Sequence, residues 1–279
     1  MKYFTQPPIG TPLNFAHPLN NGLVGYWPMG EGAGIRAQDL SGKGNHGTLT
    51  NMVQGTTSGR TGGKFGRAIN FDGTNDFIAV NSKNLDINRR VATVSFWFKH
   101  RPVSAFATEI FCEYSVNFNF TDAFVITFNN NGGGVPPTMG GIEAASRCSA
   151  YLIYATNNRF DDGQWHCVTI VYNNNLTTIA EQIMIFVDGA SQAKTIVGVH
   201  NNLQTSNFTN NPFFIGDRIG GSAAPFKESL TEFRIYNRAL SAMEIQQLYT
   251  DPFCMFEQHN KFRWLTTFDR KGSFFFSRL

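Results

Sequence analysis

The sequence predicts an all-β domain, and three observations carry this prediction. Short segments rich in Val, Ile, Phe, Tyr and Trp recur along the chain and are separated by Gly, Asn, Asp and Pro. Aromatic residues make up 14% of the 279 residues and charged residues only 15%, whereas an average soluble domain has about 25% charged residues. Long helical segments do not alternate with the strands, which excludes α/β architectures. Many short strands at short intervals indicate a sandwich or a barrel.

Two segments show the strand pattern most clearly. VATVSFWFKH alternates in polarity, which places Val94, Phe96 and Phe98 on one face of a strand. IMIFVDGASQAKTIV is predicted as a hairpin, because Asp188-Gly189 is a dipeptide typical of tight hairpin turns.

A single segment is predicted as a helix. Ser241 is a favourable N-cap, and Glu244 three residues later completes a capping box. Apolar residues then recur at helical spacing until Asp251-Pro252 ends the helix.

The two ends of the chain differ in composition from the middle. Residues 1–21 are interrupted by prolines, which deny backbone donors and predict an extended arm. The domain is predicted over residues 22–250, and an aromatic and basic second arm over residues 251–279. Assembly contacts are predicted for the aromatic side chains of the second arm, namely Phe262, Trp264, Phe268, Phe274, Phe275 and Phe276. An arm this apolar is expected either to pack on its own domain or to insert into a neighbouring subunit.

Charge and hydropathy exclude several classes of partner. The net charge of +3, from 23 Lys and Arg against 20 Asp and Glu, is too balanced for the clustered basic face of a nucleic-acid-binding protein. No apolar run approaches the roughly 18 residues of a membrane span. The N-terminus lacks an apolar segment followed by a small-residue cleavage site, so no signal peptide is predicted. We therefore expect neither nucleic acid nor a membrane as a partner.

The four cysteines give no support for a zinc site, because none of them forms a C-x-x-C pair. A chain of this length can bury a core without disulfides. We expect buried free thiols, with a Cys112–Cys148 disulfide as the alternative.

A set of segments in a fixed order resembles one known family. They run from GLVGYWPMGEG through GKFGRAINFDG, TVSFWFK, DGQWHCVTIVYN, IMIFVDG and FFIGD to LTEFRIYNRALSAMEIQQLY. This order resembles the laminin-G-like members of the concanavalin-A-like lectin/glucanase superfamily over residues 22–250. The resemblance implies a jelly roll of two antiparallel sheets. Two features depart from the family pattern: Cys167 replaces a second His, and the loop over residues 130–141 is unusually long.

The predicted sandwich has a specific core. We expect the residues of this core to be mostly buried between two sheets, and they are Trp27, Phe71, Phe96, Trp165, Val171, Ile185, Phe186, Ile215 and Ile235.

The candidate catalytic groups are weak, so no enzyme activity is predicted. The glucanases of the superfamily carry E-x-D-x-E on one strand, and retention needs two carboxyl groups about 5–5.5 Å apart. Glu109 and Glu113 are four residues apart, but no Asp lies between them. A G-x-S-x-G nucleophile motif is also missing. His166, beside Trp165, is interpreted as a structural histidine rather than a base.

A structural calcium ion is the candidate cofactor. Calcium prefers six to eight oxygen ligands from carboxylates, amides and carbonyls, and the loop from Asp39 to Gly47, which includes Asn45, offers all three. The resemblance implies that the ion would lie near an acidic residue of the last strand, here Glu232. The alternative is a tight loop that Asp39 caps without metal.

Candidate saccharide contacts lie in loops rich in Asn. The long loop 129–141 and the stretches 157–158, 173–175 and 201–211 supply amide groups that pair with hydroxyls. Individual contact residues are not predicted.

The function that these observations favour is a non-enzymatic virion structural protein, in a capsid decoration, a tail or a fibre. The end of the chain resembles that of laminin-G-like proteins encoded by tailed bacteriophages. The expected partners are other virion proteins or copies of the chain itself. The alternative is a carbohydrate-binding module for an extracellular polysaccharide, and a glycoside hydrolase is the third hypothesis.

Overall fold

Two packed antiparallel sheets form the body of the protein in the computed structural model. The structure describes residues 5–53, 58–82, 85–87, 89–105, 107–114, 122–129, 139–147, 151–200, 208, 211–218, 224–257, 265–268 and 274–277. The all-β sandwich predicted from the sequence is confirmed.

The first sheet has eight strands, and strands are numbered in chain order. They are β1 (Leu23–Trp27), β4 (Gly59–Gly63), β5 (Gly66–Asp72), β7 (Val91–Lys99), β12 (Trp165–Asn173), β13 (Ile183–Val187), β14 (Ala190–Ser191) and β17 (Lys227–Tyr236). They lie in the order β14-β13-β12-β7-β17-β5-β4, and β1 also pairs with β17.

The second sheet has nine strands and lies against the first. They are β2 (Arg36–Ala37), β3 (Gly47–Thr50), β6 (Phe77–Val80), β8 (Glu109–Tyr114), β9 (Ala123–Phe128), β10 (Ile142–Arg147), β11 (Tyr151–Thr156), β15 (Lys194–His200) and β16 (Phe213–Ile215). Their order is β15-β11-β10-β9-β8-β16-β6-β3-β2.

Few helices accompany the sheets in the described part of the chain. The predicted helix is confirmed as α2 (Ala242–Thr250), and its capping box between Ser241 and Glu244 is complete. A 3₁₀ turn (Pro18–Asn20) and a four-residue helix, α1 (Ile179–Gln182), were not predicted, because such short elements leave no periodic pattern.

The core between the sheets contains six of the nine predicted residues, namely Trp27, Phe71, Phe96, Ile185, Ile215 and Ile235. Val171 and Phe186 are buried, but they pack in a second cluster with the terminal segments and α2. They follow Ile170 and Ile185 of the main core, so strand alternation points them away from it. Trp165 is only half-buried, because it opens β12 opposite Lys99 at the end of the sheet.

The terminal segments pack on the domain. Leu13 and Leu19 from the N-terminal segment are buried in the second cluster with Phe253 and Phe256. Leu13 and Phe256 form a β-bridge, and the Glu257 amide donates to the Pro12 carbonyl at 2.9 Å. Residues 5–21 and 251–257, within the two predicted arms, are therefore integrated into the packed structure.

The hairpin predicted at Asp188-Gly189 is present between β13 and β14. Both turn residues have positive φ, 53° and 77°, as a tight hairpin turn of this kind requires.

Cys112 and Cys167 are buried free thiols, and Cys148 lies outside the described residues. Over the residues that the structure describes, no helix is long and apolar enough to cross a membrane.

Candidate ligand-binding site

A cavity of about 450 Å³ lies between the N-terminal segment and the edge of the sandwich. We call it the arm pocket, because residues 5–11 form one of its walls. Leu40, Phe65 and Phe256 supply apolar surface. The polar side chains of its lining are those of Thr5, Gln6, Thr11, Glu31, Gln38 and Arg67.

Gln6 fixes the wall of the arm pocket to the sandwich. Its backbone amide donates to the Phe65 carbonyl at 2.8 Å, and its side-chain amide donates to the Pro28 carbonyl at 2.6 Å. The side-chain oxygen accepts from the Arg67 amide at 2.9 Å. Gly66 has a φ of 146°, and a Cβ there would lie 3.1 Å from this oxygen. A side chain at position 66 would therefore disturb the wall.

A buried ion pair holds both terminal segments. Glu232 accepts from the Arg234 guanidinium at 2.8 Å and from the Tyr26 hydroxyl at 2.6 Å. Its other oxygen accepts from the Gln6 amide at 3.0 Å. Arg234 also donates to the Pro252 carbonyl at 2.7 Å. Burial raises the pKa of Glu232, and the Arg234 charge opposes that rise.

The position of this ion pair follows from the path of β17. The strand pairs with β5 through Lys227–Leu230 and with β1 through Phe233–Tyr236. Glu232 lies at the change of partner, where the register with β7 is irregular and its φ is 56°. Leu230 and Phe233 both pack in the main core although they are three residues apart, so the irregularity turns Glu232 away from the core. Arg234 lies two residues further on and therefore shares that face with Glu232.

The floor and rim of the arm pocket differ in chemistry. The Phe65 ring is held edge-on by Trp97 at 5.1 Å and by Phe253 at 5.2 Å. Glu31 forms an ion pair with Arg60 at 2.9 Å. The Arg67 guanidinium makes no hydrogen bond to any residue that the structure describes, so its donors can serve a ligand. A fixed aromatic surface beside polar groups is the usual composition of a small-molecule site.

Tyr26 lies between two of the predicted calcium ligands, Asp39 and Glu232, and donates a hydrogen bond to each of them. Asp39 accepts four hydrogen bonds, from the amides of Tyr26, Ser41 and Asn45 and from the Ser41 hydroxyl, at 2.8–2.9 Å. The Tyr26 hydroxyl contacts Glu232 on the other side. Protein donors thus occupy both carboxylates.

The other two predicted calcium ligands also have structural partners. Asn45 donates its side-chain amide to the Val24 carbonyl at 2.9 Å, and Gly47 belongs to β3. Among the described residues, no group of three or more His, Cys, Asp or Glu side chains could hold a metal ion. These hydrogen bonds favour the capped-loop alternative, and calcium binding at the four residues stays a prediction.

A chelator separates the two interpretations of Asp39. Asp39→Asn is expected to lower the free energy of unfolding by about 1.5–3 kcal/mol, because it weakens hydrogen bonds to a charged acceptor. The capped loop predicts the same loss with and without EDTA, measured by urea denaturation. Calcium binding stays a prediction that this measurement tests: EDTA would then reduce the stability of the wild type to that of the variant.

The carboxylate pair considered for hydrolysis is not formed. Ile110 packs in an outer cluster on the second sheet, whereas Phe111 and Cys112 both pack in the main core. The bulge between Ile110 and Cys112 shifts the alternation, so Glu109 and Glu113 face opposite sides of the sheet.

His166 has partners on both ring nitrogens. Nδ1 lies 2.7 Å from Asp188 and Nε2 lies 3.1 Å from Asp162. Burial alone would lower the pKa of His166, but the hydrogen bonds to the two carboxylates raise it above its ordinary value. This arrangement agrees with a structural role.

Stability is expected to depend on pH through His166. Because its folded pKa is raised, its contribution is fully present below the ordinary histidine pKa of about 6.5. It is lost as the pH rises through the folded pKa. Urea denaturation of wild type and His166→Gln across this range should show a smaller pH slope in the variant. The remaining slope belongs to other groups, including His100, whose pKa is also raised. Equal slopes would contradict the prediction.

Several predicted contact segments are only partly described. Residues 130–138, 201–207, 209 and 210 lie outside the described residues, as do Phe262 and Trp264. Phe268 and Phe274–Phe276 lie on β18 (Leu265–Phe268) and β19 (Phe274–Ser277), for which the structure describes the backbone. Asn157 and Asn158 contact Thr195 and Gln192 on the surface.

The arm pocket was not predicted from the sequence. The segment GKFGRAINFDG, which supplies Phe65 and Arg67, was interpreted only as a marker of the fold. Gln6 follows Thr5 and precedes Pro7-Pro8. No local sequence pattern reveals its hydrogen bonds to Phe65 and Glu232.

Comparison with known families identifies the class. The model described as "Concanavalin A-like lectin/glucanases superfamily" (Laminin_G_3) matches residues 72–246. The chain therefore belongs to this superfamily. A comparison with curated protein sequences finds no match.

Solved structures show the same fold at low sequence identity. The binding domain of Paraclostridial Mosquitocidal Protein 1 has a TM-score of 0.59 and 16% identity, over 85% of this chain and 53% of that one. The receptor-binding domain of botulinum neurotoxin mosaic serotype C/D has a TM-score of 0.59 and 17% identity, over 84% and 52%. This chain thus spans about half the length of the two toxin domains.

A third similar structure matches along almost its whole length. Domain 4 of AbnA, a GH43 extracellular arabinanase from Geobacillus stearothermophilus, was solved in complex with arabinotriose. It has a TM-score of 0.56 and 19% identity, over 81% of this chain and 98% of that one. Because the sequence identity to all three structures is low, their similarity to this chain shows a shared fold alone.

Proposed function

We propose that this protein is a non-catalytic, lectin-like binding domain that holds a saccharide in the arm pocket, on a virion or another extracellular surface. The observation that carries the proposal is the arrangement of the pocket, in which the Phe65 ring lies beside the Arg67 and Gln38 side chains. The ring offers an apolar surface for a sugar ring, and the polar groups offer hydrogen bonds to its hydroxyls.

The size and construction of the arm pocket support this proposal. Its volume of about 450 Å³ falls within the roughly 300–1,000 Å³ of small-ligand sites. Gln6 and Phe65 are held by the sandwich before any ligand arrives, so binding does not require the wall to be ordered. The separation of Glu109 from Glu113 supports binding without hydrolysis.

Titration with arabinotriose and with a panel of neutral oligosaccharides tests the proposal. Arabinotriose is the first probe, because it occupies the AbnA domain of similar fold. Arg67→Ala and Gln38→Ala are each expected to raise the dissociation constant of the bound oligosaccharide about tenfold, as the loss of one hydrogen bond implies. Arg101→Ala is the matched control, because Arg101 is exposed and pairs with Glu228 elsewhere. Binding that tolerates both pocket variants, or no binding to any neutral oligosaccharide, would contradict the proposal.

Attachment to a virion is the second candidate role, and the C-terminal strands favour it. β18 and β19 pair with each other in a two-stranded sheet that extends neither sheet of the sandwich. A lone two-stranded hairpin is marginal in water, so contact with another surface would stabilise it. Bacteriophage particles remain the hypothesis for that surface.

Truncation of the C-terminal strands tests the assembly role, and the buried residues before them determine the position of the stop. A stop after Glu257 keeps the buried Phe253 and Phe256, whereas a stop after Asp251 would remove them. The shortened protein is expected to fold but to be absent from particles. Wild-type occupancy on particles would contradict an anchoring role.

A further inference from the structure

A second, positively charged groove lies at one end of the first sheet. Its volume is about 480 Å³. Val91 opens β7 there, opposite Asn173 at the end of β12. We call it the arginine groove, because guanidinium and amide side chains dominate its lining, namely Arg89, Arg90, Arg238, Asn173, Asn175 and Asn237.

The charges of the arginine groove do not balance. Arg89 pairs with Asp86 at 3.3 Å, and Arg238 pairs with Glu244 at 2.6 Å. Arg90 is exposed, and within the described residues its guanidinium contacts no carboxylate. The groove therefore keeps one positive charge in excess, on a side chain that faces solvent.

Hydrogen bonds fix the backbone around Arg90, so the arginine groove is not a mobile surface patch. The Arg90 carbonyl accepts from the Asn174 amide at 2.7 Å, and the neighbouring Arg89 carbonyl accepts from the Phe208 amide at 2.8 Å. The first bond ties the segment before β7 to the loop after β12, and the second ties it to Phe208, which packs in the main core. The guanidinium of Arg90 thus extends from an anchored backbone.

Amide groups lie beside the excess charge. The Asn237 side chain donates to Asp86 at 3.2 Å, and the Asn173 oxygen accepts from the Asn175 amide at 3.2 Å. The Asn175 side chain is exposed beside them. Among the residues described, its oxygen and nitrogen make no hydrogen bond, so both can serve a ligand.

We infer that the arginine groove binds an acidic saccharide, with Arg90 on a carboxylate or sulfate group and Asn175 on a neighbouring hydroxyl. The planar guanidinium matches an oxyanion through two parallel hydrogen bonds. The amide side chains add groups that pair with the several hydroxyls of a saccharide. This groove shares no lining residue with the arm pocket, so the inference does not depend on the proposed function.

Binding measurements with three polysaccharides test the inference. Oligogalacturonate supplies carboxylates, dextran sulfate supplies sulfates, and dextran is the neutral control. Wild type is expected to bind one or both acidic ligands and not dextran at the arginine groove. Arg90→Gln is expected to weaken acidic binding about tenfold, and Asn175→Ala by a smaller factor.

Two control variants make the outcome specific. Arg101→Gln removes another exposed arginine, and Arg67→Ala alters the arm pocket; neither should change acidic binding. A loss in Arg101→Gln as large as in Arg90→Gln would show only non-specific attraction by net charge and would overturn the inference. Unchanged acidic binding in Arg90→Gln, or no acidic binding in wild type, would also overturn it. Neutral saccharide binding at the arm pocket depends on Arg67 and tests the proposed function separately. None of these outcomes at the arginine groove would change it.

Discussion

Replacing Arg234 by Met is expected to lower the free energy of unfolding by about 3–5 kcal/mol, the usual cost of removing one partner of a buried ion pair. The substitution leaves the Glu232 carboxylate buried with only the Tyr26 and Gln6 donors. It also removes the bond from Arg234 to the Pro252 carbonyl. Urea denaturation followed by circular dichroism measures the loss.

A double variant and an exposed control make this prediction specific. Glu232→Leu combined with Arg234→Met is expected to recover part of the loss, because no unpaired charge remains. Arg101→Gln removes an exposed pair with Glu228 and is expected to change stability by less than about 1 kcal/mol. A loss in Arg234→Met as small as in Arg101→Gln would contradict the role of the buried pair.

Trp27→Ala is expected to destabilise the sandwich by about 3–5 kcal/mol, as large aromatic truncations in a core do. The side chain is completely buried and contacts the rings of Phe213 and Phe233. Its indole N–H donates to the Asn45 carbonyl at 2.8 Å. The substitution therefore opens a cavity and leaves a buried acceptor without its donor.

Trp165→Ala is the matched control for Trp27→Ala. Trp165 is half-buried at the start of β12, so its truncation is expected to cost clearly less. Equal losses in the two variants, measured by chemical denaturation, would contradict the placement of Trp27 at the centre of the core.

The sequence predicts those parts of the fold that depend on local patterns. Alternation in β7 placed Phe96 and Phe98 in the core, and the capping box at Ser241 located α2. Alternation does not say which face of a strand meets the other sheet, however. Val171 was assigned to the wrong side for that reason, since the terminal segments cover the opposite face. Phe186 was predicted for the same core as Ile185, although neighbouring residues of a strand face opposite sides.

The candidate site depends on contacts between residues far apart in the chain, which no local pattern records. The arm pocket forms because Gln6 reaches Phe65 and Glu232, and the irregularity in β17 decides which face of the strand carries Glu232. Asp39 illustrates the same limit. Its loop offers the oxygen atoms of a calcium site, but the folded backbone directs its own donors to that carboxylate.

A crystal structure of the protein with a bound neutral oligosaccharide tests the central claim most directly. The account predicts density for a sugar ring in the arm pocket, against Phe65 and within hydrogen-bond distance of Arg67. A sugar bound at any other surface, with the arm pocket empty, would contradict the account.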